Sequence, residues 1–258
     1  MMPPLPAAFL ETPLAHRALH DVSDGRPENS RAAIRAAIAA GYGIEIDLQI
    51  SADNKALVFH DYQLDRLAEG QGPVKALKAH EAAAVPLRGG DGEGIPDLAE
   101  VLDIVAGQVP LLIEIKDQDG QMGPNAGALE AAAAAALQGY GGPVAVMSFN
   151  PHSVAEMARL APEVPRGLVT SAYDTAEWKL PPETCKRLRK IPDFKTCGAA
   201  FISHEASDLG RPRVQELRDA GVPVLCWTIR SATEEAVARA FADNVTFEGY
   251  LQIGRAHV

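Results

Sequence analysis

Short apolar runs alternate along the chain with segments whose apolar positions recur three and four residues apart, and polar or glycine-bearing turns divide one kind from the other. The runs lie at residues 14–18, 43–51, 111–116, 144–149, 166–170, 199–204, 223–229 and 246–251. Their length and near-continuous hydrophobicity predict strands buried on both faces, as in a parallel sheet. The periodic segments, at 31–40, 96–106, 126–138, 152–160, 176–190, 212–220 and 232–242, predict helices. Ser30 stands as a cap before the first of these and Gly41 closes it. Strand and helix alternating eight times in 258 residues predict an α/β protein built as a (β/α)8 TIM barrel, with residues 1–258 forming one domain. An open doubly wound sheet is disfavoured, because no GxGxxG loop follows the first strand. The stretch at about 62–95, with a Gly-Gln-Gly turn, a helical piece near 75–84 and an RGGDGEG loop, predicts a small insertion after the second strand, lying over one face of the barrel.

The run at 43–51 breaks the apolar rule in an informative way. Side chains alternate faces along a strand, so Glu45 and Asp47 share one face while Ile44, Ile46 and Leu48 share the other. Two ionised carboxylates taken out of water need pairing or a metal. The strand at 111–116 repeats the pattern, with Glu114 and Lys116 on one face and Ile113 and Ile115 on the other. Glu45, Asp47 and Glu114 converging in a barrel mouth form an all-oxygen set suited to a hard divalent ion, Mg²⁺ or Ca²⁺, rather than zinc. The plainer alternative is a strand face of salt bridges to Lys116 or Arg17. After the Asp53-Asn54 turn, Ala56 to Phe59 return as a second short strand and deliver His60-Asp61 at its end. His16 and His60, each at the end of a different strand, are candidates for divided acid and base work near neutral pH. Arg17 and Lys116 add fixed positive charge, and an arginine fork fits a pair of phosphate oxygens.

Charge and composition narrow the partners. A formal net charge of -10 argues against nucleic acid and against a polybasic membrane surface, leaving a small molecule as the expected partner. No stretch reaches the roughly 20 apolar residues that cross a bilayer, and the N-terminus lacks the basic and apolar regions of a signal peptide, so a cytoplasmic location is the expectation. Cys185, Cys197 and Cys226 sit in no metal-ligand or CxxC spacing and are read as reduced, structural residues. Association into a homo-oligomer stays open.

Taken in order, HR at 16–17, PEN at 27–29, EID at 45–47, HD at 60–61, IP at 95–96 and EIK at 114–116, followed by SFNP at 148–151 and CWTIR at 226–230, make a set that resembles the glycerophosphodiester phosphodiesterase family. The resemblance implies a TIM barrel in which Glu45, Asp47 and Glu114 hold a divalent metal and His16 and His60 are the acid-base pair. It also implies that Arg17 and Lys116 contact phosphate, that Trp227 lines the glycerol or alcohol pocket, and that Glu28 belongs to the substrate site or positions its groups. The implied reaction, part of lipid and glycerol metabolism, splits a glycerophosphodiester into sn-glycerol 3-phosphate and an alcohol. In it the glycerol 2-hydroxyl attacks phosphorus and water then opens the cyclic phosphate. Three positions depart from the family pattern: Ala18 stands where HRG has glycine, Arg230 ends the WTVN-like segment, and Phe247-Glu248-Gly249 replaces T-D-x-P. Lysophospholipid cleavage, release of a cyclic phosphate and a non-catalytic phosphodiester-binding barrel are the competing readings. His20, His80, His152, His204 and His257 join no constellation and are read as solvent-exposed or structural; of these His204, at a strand end, stands nearest to reaching the site.

Overall fold

The computed structural model of the chain describes residues 2–251, so His257 lies outside the described residues. Eight parallel strands close on themselves: β1 (Leu14–Ala15), β2 (Gly43–Ile50), β4 (Leu111–Ile115), β5 (Val144–Ser148), β6 (Arg166–Thr170), β7 (Phe201–Glu205), β8 (Val224–Ile229) and β9 (Asn244–Phe247). β1 pairs in parallel with both β2 and β9, which removes the sheet's edges. A ninth strand, β3 (Ala56–Val58), lies antiparallel on β2 and opens the insertion. The (β/α)8 barrel expected from the strand and helix pattern is thus the fold.

Strand parity divides the apolar residues into two layers. Ile44, Ile46, Ile113, Ile115, Ile202 and Val224 face outward into the layer of helices, among them α2 (Arg31–Ala39), α4 (Leu98–Val105) and α5 (Ala128–Leu137). Leu14, Leu112, Met147, Val169, Phe201 and Leu225 fill the interior, with Leu5 and Phe9 of the N-terminal segment packed among them. That segment carries a single helical turn, α1 (Ala8–Glu11), and Asn244 fixes it by donating to the carbonyls of Phe9 and Thr12, each at 2.7 Å. Gly167 makes the room that Phe201 occupies: a Cβ there would meet the ring at 2.4 Å. Helix starts follow the sequence signals. Ser30 caps α2, Asp97 caps α4, and Asn150 caps α6 (Pro151–Leu160), each accepting from a backbone N–H of the first turn.

Several boundaries differ from the expected ones for local reasons. β1 stops at Ala15 because Arg17 and Ala18 turn left-handed, at φ 52° and 64°. The helix expected over 176–190 is confined to α7 (Pro182–Leu188), since Pro181 and Pro182 fix its start. The helical piece expected near 75–84 is a 3₁₀ turn at Val74–Ala76 and one α turn, α3 (Ala79–Ala82). The segment from 62 to 95 buries its own apolar cluster, Leu64, Ala68, Val74, Ala82, Leu87 and Ile95, against Leu57 and Phe59. Arg31 locks it to the barrel, bonding Glu93, the Gly94 carbonyl and Glu100.

Candidate active site

Parallel register places Asp47 of β2 beside Glu114 of β4, with Glu45 one pleat below on the same inward face. All three are buried, and one carboxylate oxygen from each lies within 4.8 Å of the others. Lys116 Nζ sits 2.7 Å from both Asp47 Oδ1 and Glu114 Oε1, and Arg17 Nε is 3.8 Å from Asp47 Oδ2. Asn29, held at φ 59°, donates from Nδ2 to Asp47 Oδ2 at 2.9 Å and accepts from the Asp47 N–H at 3.2 Å. The left-handed turn after His16 aims the Arg17 N–H at Glu45 Oε2, 2.9 Å away. Electrostatics separates the three acids. Burial, reinforced by Asp47 and Glu114, pushes the Glu45 carboxyl well above its ordinary range. Asp47 is also buried, but Lys116, His60 and Arg17 more than reverse that effect and hold it ionised. Burial alone would depress the Lys116 ammonium; Asp47 and Glu114 outweigh it and keep the charge.

The donor set fits a hard cation. Three carboxylate oxygens this close can reach one ion at about 2.0–2.6 Å each, and Lys116 supplies a single positive charge against three buried acids. A second cation on this face would offset the burial and the repulsion from Asp47 and Glu114 that push the Glu45 carboxyl up.

Barrel closure supplies a partner that strand patterns did not show. Ala15 of β1 pairs with Phe247 of β9, so His16 emerges beside Glu248, and His16 Nδ1 donates to Glu248 Oε2 at 2.6 Å. Glu248 Oε1 pairs with Arg230 at 2.8 Å, and its Oε2 lies 3.6 Å from His20 Nε2, too far for a hydrogen bond. Two departures from the family pattern, Arg230 and Glu248, are thus partners of each other, with Glu248 also the partner of His16, and His20 belongs to their surroundings. The other histidine repeats the plan: His60 Nδ1 bonds Asp61 Oδ1 at 2.7 Å, and Arg66 grips both oxygens of Asp61. Arg66 also holds Glu28, whose two oxygens bond Arg17 at 3.0 and 3.1 Å. Both histidines therefore leave Nε2 as the nitrogen free for chemistry. Burial, helped by Arg17, lowers the His16 pKa against the opposing pull of Glu248. The Glu248 carboxylate is held far below its usual range, chiefly by the His16 hydrogen bond.

Two cavities open side by side on these residues. The inner one, about 160 Å³, is lined by His16, Arg17, Glu45, His60, Glu114, Lys116, Trp227 and Arg230, among others. The outer one, about 420 Å³, shares His60, Glu114, Lys116 and Phe149 with it and adds Asp61, Tyr62, Gln63, Asp117, Met122 and Trp178. Arg17 Nε, buried at the inner cavity, has no hydrogen-bond partner among the described residues. Trp227 donates from Nε1 to the Ser203 carbonyl at 3.0 Å, which fixes its ring at the cavity wall. Glu28 lines neither cavity and stands behind Arg17. His204, at a strand end, is structural and does not reach the site. It shares the outward face of Ile202, is fully buried, and both ring nitrogens are engaged, Nδ1 with Thr170 and Nε2 with Asp208. The three cysteines are buried and unpaired.

Comparison with known proteins places the chain in a family. A glycerophosphodiester phosphodiesterase of Caldanaerobacter subterraneus subsp. tengcongensis is 30% identical over 176 residues, covering 65% of this chain and 70% of that protein. One from Bacillus subtilis is 31% identical over 212 residues, covering 74% of this chain and 68% of that protein. In fold, the chain is similar to an Oleispira antarctica phosphodiesterase solved in complex with the product sn-glycerol-3-phosphate, with a TM-score of 0.75, 24% identity, and 93% and 94% of the two chains covered. The model of the glycerophosphoryl diester phosphodiesterase family matches residues 16–246, a span that opens on His16, takes in the acid cluster and the residues lining both cavities, and ends within the closing strand. The chain belongs to the glycerophosphoryl diester phosphodiesterase family.

Proposed function

We propose that this protein is a divalent-metal-dependent phosphodiesterase that hydrolyses glycerophosphodiesters to sn-glycerol 3-phosphate and an alcohol. The observation that carries the reading is the convergence on one small cavity of two carboxylate-held histidines, Arg17, whose Nε makes no hydrogen bond among the described residues, and two buried carboxylates, Glu45 and Glu114, with Asp47 clustered against them. Glu45, Asp47 and Glu114 are the residues to hold Mg²⁺ or Ca²⁺, and the ion's contribution is to neutralise the non-bridging phosphate oxygens. Arg17, oriented by Glu28, and Lys116 supply the remaining positive charge around phosphorus. His16 lines only the inner cavity, whereas His60 lines both. That difference supports a division of work in which His16 Nε2 takes the proton of the glycerol 2-hydroxyl as its oxygen bonds phosphorus, and His60 Nε2 protonates the leaving alkoxide as its P–O bond breaks. In the second half His60 takes a proton from water as its oxygen opens the cyclic phosphate, and His16 returns a proton to the 2-oxygen. Trp227 closes the inner wall against the glycerol carbons. No helix among the described residues is long and apolar enough to cross a membrane, and the substrate read from this site is a small molecule.

Product analysis tests the assignment. A panel of glycerophosphodiesters supplied with Mg²⁺ or Ca²⁺ is expected to yield sn-glycerol 3-phosphate and free alcohol. Accumulation of a cyclic phosphate with no monoester would mean that the second half-reaction is missing. Release of glycerol together with an alcohol phosphate would reverse the placement of substrate in the two cavities.

A further inference from the structure

The outer cavity has a chemistry that the hydrolytic step does not require. Phe149 and Trp178 meet there at 5.0 Å with their planes 60° apart, so they form a corner, and Tyr173 backs Trp178 at 4.8 Å. Tyr62 and Met122 extend this apolar wall, the Tyr62 hydroxyl being tied down by the Asp117 carbonyl at 2.5 Å. The wall is built in advance: Asn150 bonds both Asp117 Oδ1 and the Gly123 carbonyl at 2.8 Å, and the Met122 N–H donates to Asp117 Oδ2.

The charges lining the cavity are unbalanced. Asp61 is matched by Arg66, and Glu114 by Lys116. Asp117 is buried, lines the cavity, and among the described residues pairs with no lysine, arginine or histidine; its side chain meets the Asn150 amide, the Met122 N–H and the side chain of Asp119. A cation entering here would meet a buried carboxylate and three aromatic side chains, Tyr62, Phe149 and Trp178, surroundings of the kind that attract an ammonium group. The same lining is poor for a primary ammonium or a polyol. The oxygens of Asp61 and Asp117 already accept hydrogen bonds, so each N–H or O–H brought out of water would find few partners. A quaternary ammonium has no N–H to satisfy and presents methyl groups to the rings. At about 420 Å³ the cavity lies within the range of small-molecule sites, about 300–1,000 Å³.

We propose that the outer cavity is the subsite for the leaving alcohol and that it selects a quaternary ammonium alcohol, making trimethylammonium-bearing glycerophosphodiesters the preferred substrates. The inference rests on the phosphodiesterase reading of the same site, since His60 is the group that spans the two cavities. The test compares kcat/KM for the glycerophosphodiesters of choline, ethanolamine and glycerol, together with quenching of tryptophan fluorescence by choline chloride against ethanolamine hydrochloride and sodium chloride. The choline diester is expected to be favoured over the ethanolamine diester by about tenfold or more, and choline alone to quench saturably. Trp178→Leu is expected to bring the choline-to-ethanolamine ratio below about threefold, whereas Trp178→Phe retains most of it. Equal rates for the three diesters, or a ratio untouched in Trp178→Leu, would overturn this inference and leave the phosphodiesterase reading standing. Failure to hydrolyse any diester would overturn that reading instead. The fluorescence titration then decides the subsite by itself: saturable choline binding upholds it, and no difference between choline and sodium chloride removes it.

Discussion

Removing Glu248 is the perturbation whose size the structure sets most closely. Its carboxylate accepts the His16 Nδ1 hydrogen bond at 2.6 Å, is only 19% exposed, and makes its other strong contact with Arg230. A hydrogen bond to a charged group contributes about 1.5–3 kcal/mol, and tenfold in rate is about 1.4 kcal/mol. If the bond is at full strength when His16 carries the proton, Glu248→Ala lowers kcat/KM by about 10- to 150-fold. Glu248→Gln keeps an acceptor without the charge and falls between the two. Arg230→Ala loses an ion pair from an arginine that is 63% exposed, an interaction worth about 0–1 kcal/mol, and changes kcat/KM little. The pH profile separates orientation from simple loss of fold. Burial and Arg17 put the folded pKa of His16 below 6.5 while Glu248 opposes them. A base works when neutral, so activity is full above that folded pKa and is lost as pH falls through it. Without Glu248 the raising influence disappears, and the acid limb of kcat/KM moves to still lower pH as the plateau drops. Wild-type kcat/KM in Glu248→Ala, or a fallen plateau with an unmoved acid limb, would refute the argument.

Other perturbations have equally definite outcomes. His60→Ala is expected to melt within a few degrees of the wild type and to lose about 10²–10⁴ in kcat, the usual share of a general acid; circular dichroism melting and single-turnover rates check both halves. Lys116→Met leaves Asp47 and Glu114 buried without their shared cation, which costs about 3–5 kcal/mol. Its Tm should recover on adding Mg²⁺ or Ca²⁺ by more than the wild type gains. Ala18 is buried at φ 64°, where a β-branched side chain is an outlier. Ala18→Val should therefore lose about 2 kcal/mol or more in a denaturant titration, and Ala18→Gly should stay within about 1 kcal/mol. Burial, outweighing Asp208, lowers the His204 pKa, so the unfolded chain binds a proton near pH 6.5 that the native state refuses. Stability falls as pH drops below about 6.5, and His204→Gln should flatten that slope in urea titrations at pH 7.5 and 5.5.

What could be read from the sequence was whatever strand parity and neighbouring residues determine. Glu45, Asp47 and Glu114 were legible because alternation along two apolar strands puts acids on one face, and His60-Asp61 because the pair lies at a strand end. Glu248 was not, since its bond to His16 spans 232 positions and exists only because β9 closes on β1. Its place in the sequence registered only as a departure from T-D-x-P. Trp178 lies in the stretch read as helix over 176–190, but the helix begins only at Pro182, so nothing local announced that Trp178 would meet Phe149. His204 is the converse case, a strand-end histidine that is structural. Its position at the end of β7 was evident, but its parity with Ile202 turned it to the helices, and that parity was readable in the same alternation that found the acids.

The central claim is that the three carboxylates and two histidines hydrolyse a glycerophosphodiester with the help of a hard divalent ion. The measurement that meets it most directly is sn-glycerol 3-phosphate release by chelator-treated protein, titrated with Mg²⁺ and with Ca²⁺, in the wild type and in Glu45→Gln. The account predicts no release with chelator, saturable recovery with one or both ions, and no recovery in Glu45→Gln at the same ion concentrations. Undiminished release in the presence of chelator, or full recovery in Glu45→Gln, would contradict it.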